Sequence, residues 1–258
     1  MKVSASNIAW SFEQDDEILA LLQSLGFNGL EVAPTRLFPE KPYAHAGEAR
    51  SHAAMLLDRY GLRVSSMQSV LFGITQNLFG PEEERAFLRN YLRAGIDFAK
   101  ALGCRNVSFG CPKNRMIRDI SQYGTAVDFF RGLSEYAGQQ GTVLTIEAVS
   151  VLYGGNFLTT TEQACAFARD VGRPSCMVNA DTGTMVANNE PFAVLEQNAD
   201  LIHHIHLSEP KLAPIEKRDW HKRLRELPLK GYLSLEMKKT EDPEDLRAAL
   251  YYLREVAG

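Results

Sequence analysis

The sequence predicts an α/β protein, a single (β/α)8 TIM barrel that occupies residues 1–258. Short runs with strand character alternate with longer segments of helical periodicity, and this alternation occurs eight times. Strict alternation indicates parallel strands joined by right-handed crossovers. The length of 258 residues is close to the ~250 residues of a typical barrel. Two domains of ~130 residues are the competing expectation from length alone, but no linker divides the chain.

Eight runs carry the strand pattern. In chain order they are VSAS (3–6), GLEVA (29–33), RVSSMQ (63–68), NVSFG (106–110), VLTIEAV (143–149), CMVNAD (176–181), LIHHIHL (201–207) and YLSLEM (232–237). An open doubly wound sheet is the rival arrangement, and it usually has a glycine-rich phosphate loop after its first strand. Here SNIAW follows that strand, and the chain contains neither GxGxxG nor GxxxxGK[ST]. The barrel is therefore favoured.

The segments between the strands have helical periodicity and recognisable ends. Examples are residues 15–26, 81–103 and 160–172. Glycines that can end helices follow the last apolar positions of five segments. They are Gly26, Gly61, Gly103, Gly141 and Gly172. Pro243 lies near the start of the last predicted helix, where a proline is tolerated.

Composition excludes several classes of protein. With 28 basic and 32 acidic residues the net charge is −4, so the chain lacks the basic field of nucleic-acid-binding proteins and we expect no nucleic-acid partner. No window approaches the ~20 apolar residues of a membrane span, and the amino terminus does not resemble a signal peptide. The four cysteines show no CxxC spacing. We therefore expect a cytoplasmic protein with free thiols and no membrane partner.

Polar residues end four consecutive predicted strands, five to eight. They are Glu147, Asp181, His206 and Glu236. The carboxyl ends of all barrel strands meet at one rim, where the active sites of such barrels lie. Buried charges persist when they are paired or bind a metal. Three carboxylates and one imidazole suit one divalent cation, with Mn²⁺, Mg²⁺, Co²⁺ and Zn²⁺ all compatible.

Further residues are candidates for binding substrate. Glu31 and Gln68 end strands two and three, where they can form hydrogen bonds with substrate hydroxyls or have a structural role in closing the barrel. Lys113 and Arg115 follow strand four, and they can clamp an anionic group or belong to a solvated loop. Glu209, shortly after strand seven, is a further substrate-binding candidate.

Several stretches resemble the xylose-isomerase-like barrels, a group of sugar (phosphate) isomerases and epimerases related distantly to type IV AP endonucleases. They are SNIAW, GFNGLEVAPTRLFP, SSMQSVLFG, FGCPKNR, HIHLSEP and LSLEM, and the resemblance covers essentially the whole chain. It implies that Glu147, Asp181, His206 and Glu236 hold one divalent metal. It also implies that the two glutamates form the acid/base pair.

The sequence departs from this family's pattern at two positions. Thr184 stands where the epimerases and endonucleases have a histidine, and Leu212 stands where the epimerases have an arginine. The endonuclease resemblance also lacks the histidines of a trinuclear zinc cluster. Asp219 and His221 resemble an endonuclease Asp-x-His pair, and we expect them to orient the metal ligands or touch substrate.

These features predict a metal-dependent isomerase or epimerase that acts on a sugar or sugar derivative. Proton transfer would pass through a metal-stabilised enediolate, with a carboxylate to take the proton and return it. A lyase or dehydratase acting on a keto-polyol and a catalytically idle sugar-binding barrel are the alternatives, and an AP endonuclease is a weaker one. The expected partner is a small-molecule sugar. A homo-oligomer is left open.

Overall fold

Eight parallel strands close into a barrel surrounded by helices. A computed structural model describes residues 1–258. Each strand pairs with the next along the chain, and the eighth pairs with the first through Val3–Leu233 and Ala5–Leu235. This arrangement confirms the predicted (β/α)8 barrel.

The observed strands begin within one residue of the predicted ones and end up to two residues earlier. They are β1 (Val3–Ser6), β2 (Gly29–Val32), β3 (Arg63–Met67), β4 (Asn106–Phe109), β5 (Val143–Glu147), β6 (Cys176–Asp181), β7 (Ile202–Leu207) and β8 (Leu233–Leu235). Gln68 and Glu236 lie just past their strands. Their backbone N–H groups still donate to Val32 and Leu207 at 3.0 and 2.9 Å, so both residues remain fixed to the barrel rim.

Nine α-helices connect the strands. They are α1 (Asp15–Ser24), α2 (Pro34–Leu37), α3 (Ala46–Tyr60), α4 (Glu82–Ala101), α5 (Tyr123–Gln139), α6 (Thr161–Val171), α7 (Thr182–Asn188), α8 (Ala193–Gln197) and α9 (Pro243–Ala257). The five glycines predicted to end helices all have positive φ, between 63° and 78°, the region that glycine adopts without steric cost. Pro243 is the first residue of α9, and the Asp242 side chain caps that helix by accepting from the Glu244 N–H.

The apolar core lies between the strands and the helices. It comprises 66 buried hydrophobic residues. Phe109 on β4 points outward and packs edge-on against Phe130 of α5 at 4.9 Å between ring centroids. Phe130 in turn packs against Phe167 of α6 at 5.5 Å. This outer layer buries the apolar surface that stabilises the barrel.

The barrel interior is polar, whereas many barrels fill this space with Val, Ile and Leu. Asn106 donates to the Ser66 hydroxyl at 2.9 Å, and Asn179 donates to the Ser108 hydroxyl at 3.1 Å. These hydrogen bonds join β4 to its neighbour β3 and, across the barrel interior past β5, to β6. The same inward-facing positions lead to the carboxylates at its mouth.

None of the helices is both long and apolar enough to span a bilayer. The four cysteines form no disulfide with one another.

Candidate active site

Four side chains from consecutive strands meet at the carboxyl end of the barrel. Each contributes a potential metal-ligand atom, and these atoms all lie within 4.8 Å of one another. They are Glu147, Asp181, His206 and Glu236. The structure thus brings together the four residues that the strand ends predict as metal ligands.

The imidazole of His206 lies beneath two of the carboxylates. Its Nδ1 atom is 3.0 Å from Glu147 Oε1 and 3.1 Å from Glu236 Oε2. The ring is fully buried, whereas the side chains of Glu147 and Glu236 are 12% and 10% exposed. The carboxylates can therefore reach a molecule in the barrel mouth, and the histidine cannot be reached from solvent.

Glu147 is positioned by residues of β4 and of the loop that follows β4. The Ser108 hydroxyl donates to Glu147 Oε2 at 3.2 Å. Gly110 packs directly against this carboxylate, where a Cβ atom would overlap Oε2. Arg115 donates to the Glu147 backbone carbonyl at 2.7 Å. Ser108 and Gly110 thus hold the carboxylate, and Arg115 holds the backbone of the same residue.

Glu236 accepts a hydrogen bond from a side-chain amide, whereas Asp181 accepts one from the backbone and one from a side-chain hydroxyl. The Gln68 amide donates to Glu236 Oε1 at 2.8 Å. Asp181 accepts from the Thr184 N–H, so it caps α7, and it also accepts from the Ser208 hydroxyl. Anions are favoured at a helix amino terminus.

The negative charge of this cluster is incompletely balanced. The pKa of Glu236 is raised to about 7, chiefly by burial and also by the charges of Glu147 and Asp181, against the opposing effect of His206. Burial, followed by the charge of Glu147, also raises the pKa of Asp181. Burial alone would lower the pKa of His206, but the surrounding carboxylates raise it well above its usual value.

The donor set fits a divalent cation. Three crowded carboxylates compete for one imidazole, and such groups are stabilised when they pair with a cation or coordinate one. Carboxylate oxygens with a single imidazole nitrogen suit Mn²⁺, Mg²⁺, Co²⁺ or Zn²⁺.

A cavity of about 420 Å³ opens above the four residues. Its floor is polar and is formed by Gln68, Glu147, Asp181 and Glu236. Its wall is largely apolar and includes Leu71, Phe72, Ile74, Val149 and Leu212. Phe72 is 68% exposed at the rim. The cavity can therefore bind a small molecule through polar groups at its base and apolar contacts at its mouth.

Two of the predicted substrate-binding residues, Gln68 and Lys113, line this cavity. The two positions that depart from the family's pattern, Thr184 and Leu212, also line it. Lys113 is the single cationic side chain in the lining.

Arg115 and Glu209 do not line the cavity, although substrate contacts were expected of both. Arg115 is 1% exposed and its guanidinium lies behind Glu147. Glu209 is 3% exposed and accepts two hydrogen bonds from Arg218. Glu209 turns inward to pair with Arg218. Arg115 turns inward to donate to the Glu147 carbonyl, and its Nε and Nη1 atoms have no partner. Both side chains support the loops around the mouth and leave no surface for a substrate.

His221 and Asp219 also lie away from the cavity, so neither orients the four clustered side chains. His221 is fully buried, and its Nδ1 atom is 3.1 Å from the Tyr252 hydroxyl on α9. Asp219 is exposed on the short helix Asp219–Glu226. His221 therefore joins this helix to α9.

Glu31 lies beneath His206, inside the barrel, and does not contact the cavity. It is fully buried, and its carboxylate contacts the Nε2 atoms of both His204 and His206. Although burial raises the pKa of Glu31, these two histidines hold it well below its usual range. Burial lowers the pKa of His204, against the raising effect of Glu31.

Sequence analysis did not single out Ser108 and Ser208, which donate to Glu147 and Asp181. Period-two alternation along β4 could have identified Ser108, because it faces inward like Asn106. Ser208 follows the last residue of β7 and has no comparable signal in the sequence.

Comparisons with known proteins agree with this architecture. The sequence model of the xylose isomerase-like TIM barrel family matches residues 19–256. No curated protein matches the chain. A D-psicose 3-epimerase, crystallised in the presence of D-fructose, is similar over 100% of both chains, with a TM-score of 0.81 and 19% identity.

Two further structures are similar at comparable levels. An E. coli 3-keto-D-glucoside 4-epimerase in its apo form aligns over 99% of both chains, with a TM-score of 0.77 and 20% identity. An L-ribulose 3-epimerase aligns over 100% of this chain and 92% of its own, with a TM-score of 0.73 and 20% identity. At these identities the likeness demonstrates a shared barrel fold.

Proposed function

The chain belongs to the xylose isomerase-like TIM barrel family, and from this premise we propose that it is an isomerase or epimerase of a sugar or sugar derivative. One observation carries the proposal. Glu147 and Glu236 converge on the same atom, His206 Nδ1, from 3.0 and 3.1 Å, at the floor of a cavity large enough for a sugar. Two carboxylates in this position can exchange protons with one bound molecule.

The reaction would begin with removal of a proton from the carbon next to a carbonyl group, which gives an enediolate. Glu147 and Glu236 are the bases available at the cavity floor, and return of the proton to the other face or the neighbouring carbon completes epimerisation or isomerisation. Gln68 and Ser108 hold the two carboxylates in place by donating to them. Positioning of this kind contributes directly to the rate.

A divalent cation is part of this proposal, and Glu147, Asp181, His206 and Glu236 would hold it. When bound, the cation supplies electrostatic stabilisation of the negative charge that develops on substrate oxygens. The apolar wall above the floor limits the access of water to the reacting end of the sugar.

The lining favours an uncharged sugar over a sugar phosphate. Three carboxylates line the cavity, with Lys113 as the single cationic side chain. Phosphate recognition usually employs bidentate arginine or several donors, and Arg115 is turned away behind Glu147. The sugars named for the similar structures therefore form the first panel of substrates: D-psicose and D-fructose, L-ribulose, and 3-keto-D-glucosides.

The proposal is tested by turnover in deuterated water after chelation and reloading with each divalent metal. Solvent deuterium should enter the recovered sugar at the reacting carbon. Glu147→Gln and Glu236→Gln should each lower kcat by about 10²–10⁴-fold with an unchanged circular dichroism spectrum. Glu190→Gln serves as a matched control, because Glu190 also accepts two hydrogen bonds but lies outside the cavity lining. Wild-type kcat in either site variant would contradict the acid/base assignment, and loss of water would identify a lyase.

The metal part of the proposal has its own measurement. Elemental analysis of the reloaded protein should find one equivalent of divalent metal, and His206→Ala should lose it. Absence of metal from the wild type would remove the cation from the proposal and favour a sugar-binding barrel.

A further inference from the structure

The carboxylate of Glu31 on β2 lies between two imidazoles of β7. Its Oε2 atom is 2.8 Å from His204 Nε2, and its Oε1 atom is 3.0 Å from His206 Nε2. All three side chains have no exposed surface. Glu31 therefore cannot touch a molecule in the cavity, and it acts on the site only through His206.

The hydrogen-bonding roles in this group follow from elementary chemistry. An ionised carboxylate only accepts hydrogen bonds, whereas each imidazole nitrogen can donate or accept. His204 Nε2 is hydrogen-bonded to Glu31 Oε2, so it must carry hydrogen. His206 Nε2 is in ion-pair contact with Glu31 Oε1 at 3.0 Å, and the negative charge of that oxygen favours hydrogen on this nitrogen as well. His204 Nδ1 accepts from the Tyr232 backbone N–H at 3.4 Å, which matches this tautomer. Two hydrogen bonds thus lead from the Tyr232 backbone through His204 to Glu31, and the ion-pair contact of Glu31 with His206 continues the chain.

The other nitrogen of His206 faces the active site. Nδ1 is the atom that lies within 3.1 Å of both Glu147 and Glu236. Nδ1 donates to Glu147 when the ring carries both hydrogens. Once a cation displaces the Nδ1 hydrogen, the remaining hydrogen stays on Nε2 toward Glu31 and the Nδ1 lone pair faces the cation. Metal-binding histidines commonly donate their second N–H to a carboxylate, which fixes the ring and its tautomer.

We propose that Glu31 is a positioning residue for the metal site, which fixes His206 as the Nε2–H tautomer so that Nδ1 is the ligand atom. The inference rests on the proposed function only in its requirement for a cation at the four-residue cluster. It replaces the substrate contact expected of Glu31 from its place at a strand end. His204 anchors the Glu31 carboxylate from the side opposite the cavity.

The substitution that tests this role is Glu31→Gln. A glutamine oxygen can accept from one imidazole, but its NH₂ group must then face the other Nε2, which can no longer carry hydrogen. Because the Tyr232 N–H keeps the hydrogen of His204 on Nε2, His206 is the histidine that is forced into the opposite tautomer, with almost no change in side-chain volume. Loss of such a supporting partner typically weakens metal binding by about 10–100-fold.

The affinity for Zn²⁺ is measured on apoprotein by competition with a chromophoric chelator, without any substrate. Glu31→Gln should bind Zn²⁺ about 10–100-fold more weakly, whereas Glu190→Gln should match the wild type. A wild type that binds one equivalent and a Glu31→Gln variant with equal affinity would refute the positioning role and leave the proposed function intact. A wild type that binds no metal would refute both.

The experiment also covers two further cases, a second bound metal and a variant that does not fold. Glu31, His204 and His206 lie close enough to form a second cation cluster, so two equivalents in the wild type and one in Glu31→Gln would make Glu31 a ligand and overturn the proposal. If the variant fails to fold, long-range ¹H–¹⁵N spectra of histidine rings in the Zn²⁺-loaded wild type decide the matter. They should show His206 with hydrogen on Nε2, and hydrogen on Nδ1 would overturn the inference.

Discussion

Lowering the pH from 7 to 5 should remove about 2 kcal/mol of folding free energy through His221 alone. Burial, aided by the charge of Arg218, lowers the pKa of His221 to about 4 in the folded chain, whereas an unfolded histidine titrates near 6.5. The unfolded state therefore binds more protons between these values, and stability falls as the pH falls. The loss begins near pH 6.5 and is complete near pH 4.

The matching variant is His221→Leu, which removes the titrating group from the same site. The Tyr252 hydroxyl keeps its hydrogen bonds with the backbone of Arg218 at 3.0 and 3.2 Å, so the substitution leaves no new unpaired polar atom. Leu224→Ala is the control. It changes a fully buried residue of the same short helix without removing a titratable group.

Urea unfolding of the chelated proteins at pH 7, 6 and 5, followed by circular dichroism, measures the effect. The free energy of unfolding of the wild type should fall by about 2 kcal/mol more than that of His221→Leu between pH 7 and pH 5. Leu224→Ala should follow the wild type. Parallel pH dependence of the wild type and His221→Leu would refute the assignment of His221 as a buried, neutral histidine.

Two further predictions concern the site and the core. Gly110→Ala introduces a methyl group against the Glu147 carboxylate, so kcat should fall about 10²-fold, as expected for misplaced reacting groups, and an effect below threefold in steady-state assays would contradict it. Phe130→Ala removes a fully buried ring that packs against Phe109 and Phe167. It should lower the free energy of urea unfolding by about 3–5 kcal/mol, and a loss under 1 kcal/mol would show that the cavity collapses.

The sequence predicts the four clustered side chains because two regularities of strands apply to them. Alternation with period two places Glu147 and Glu236 on the inner face, and parallel pairing of consecutive strands brings their ends together. Asp181 and His206 are one example, because the register of β6 and β7 places them side by side. Within such elements, chain position alone determines where a side chain points.

The same reasoning does not predict the direction of a side chain in a loop or the depth of a residue inside the barrel. Arg115 and Glu209 follow strands, but no periodicity fixes side-chain direction in a loop, and the partner of Glu209 is Arg218, nine residues further along. Glu31 faces inward as alternation requires. However, a register shift after Leu30 pairs Glu31 with Ser66, below the level of Gln68. Its depth depends on the stagger of the closed barrel, which the sequence pattern does not contain.

The outward face of each strand contributes to folding stability, and the inward face supports the site. Outward residues such as Ile146 and Val178 are fully buried in the apolar layer beneath the helices, and burial of this layer stabilises the fold. Inward residues such as Asn179 are equally buried but polar, and hydrogen bonds between strands offset part of the cost of removing them from water. The Asn179 amide nitrogen has a partner in Ser108, whereas its Oδ1 atom has none. A polar interior adds little to stability beyond satisfying its own groups. Its advantage is that a charged cluster can be held from below, as Glu31 holds His206, while the outer layer supplies the folding free energy.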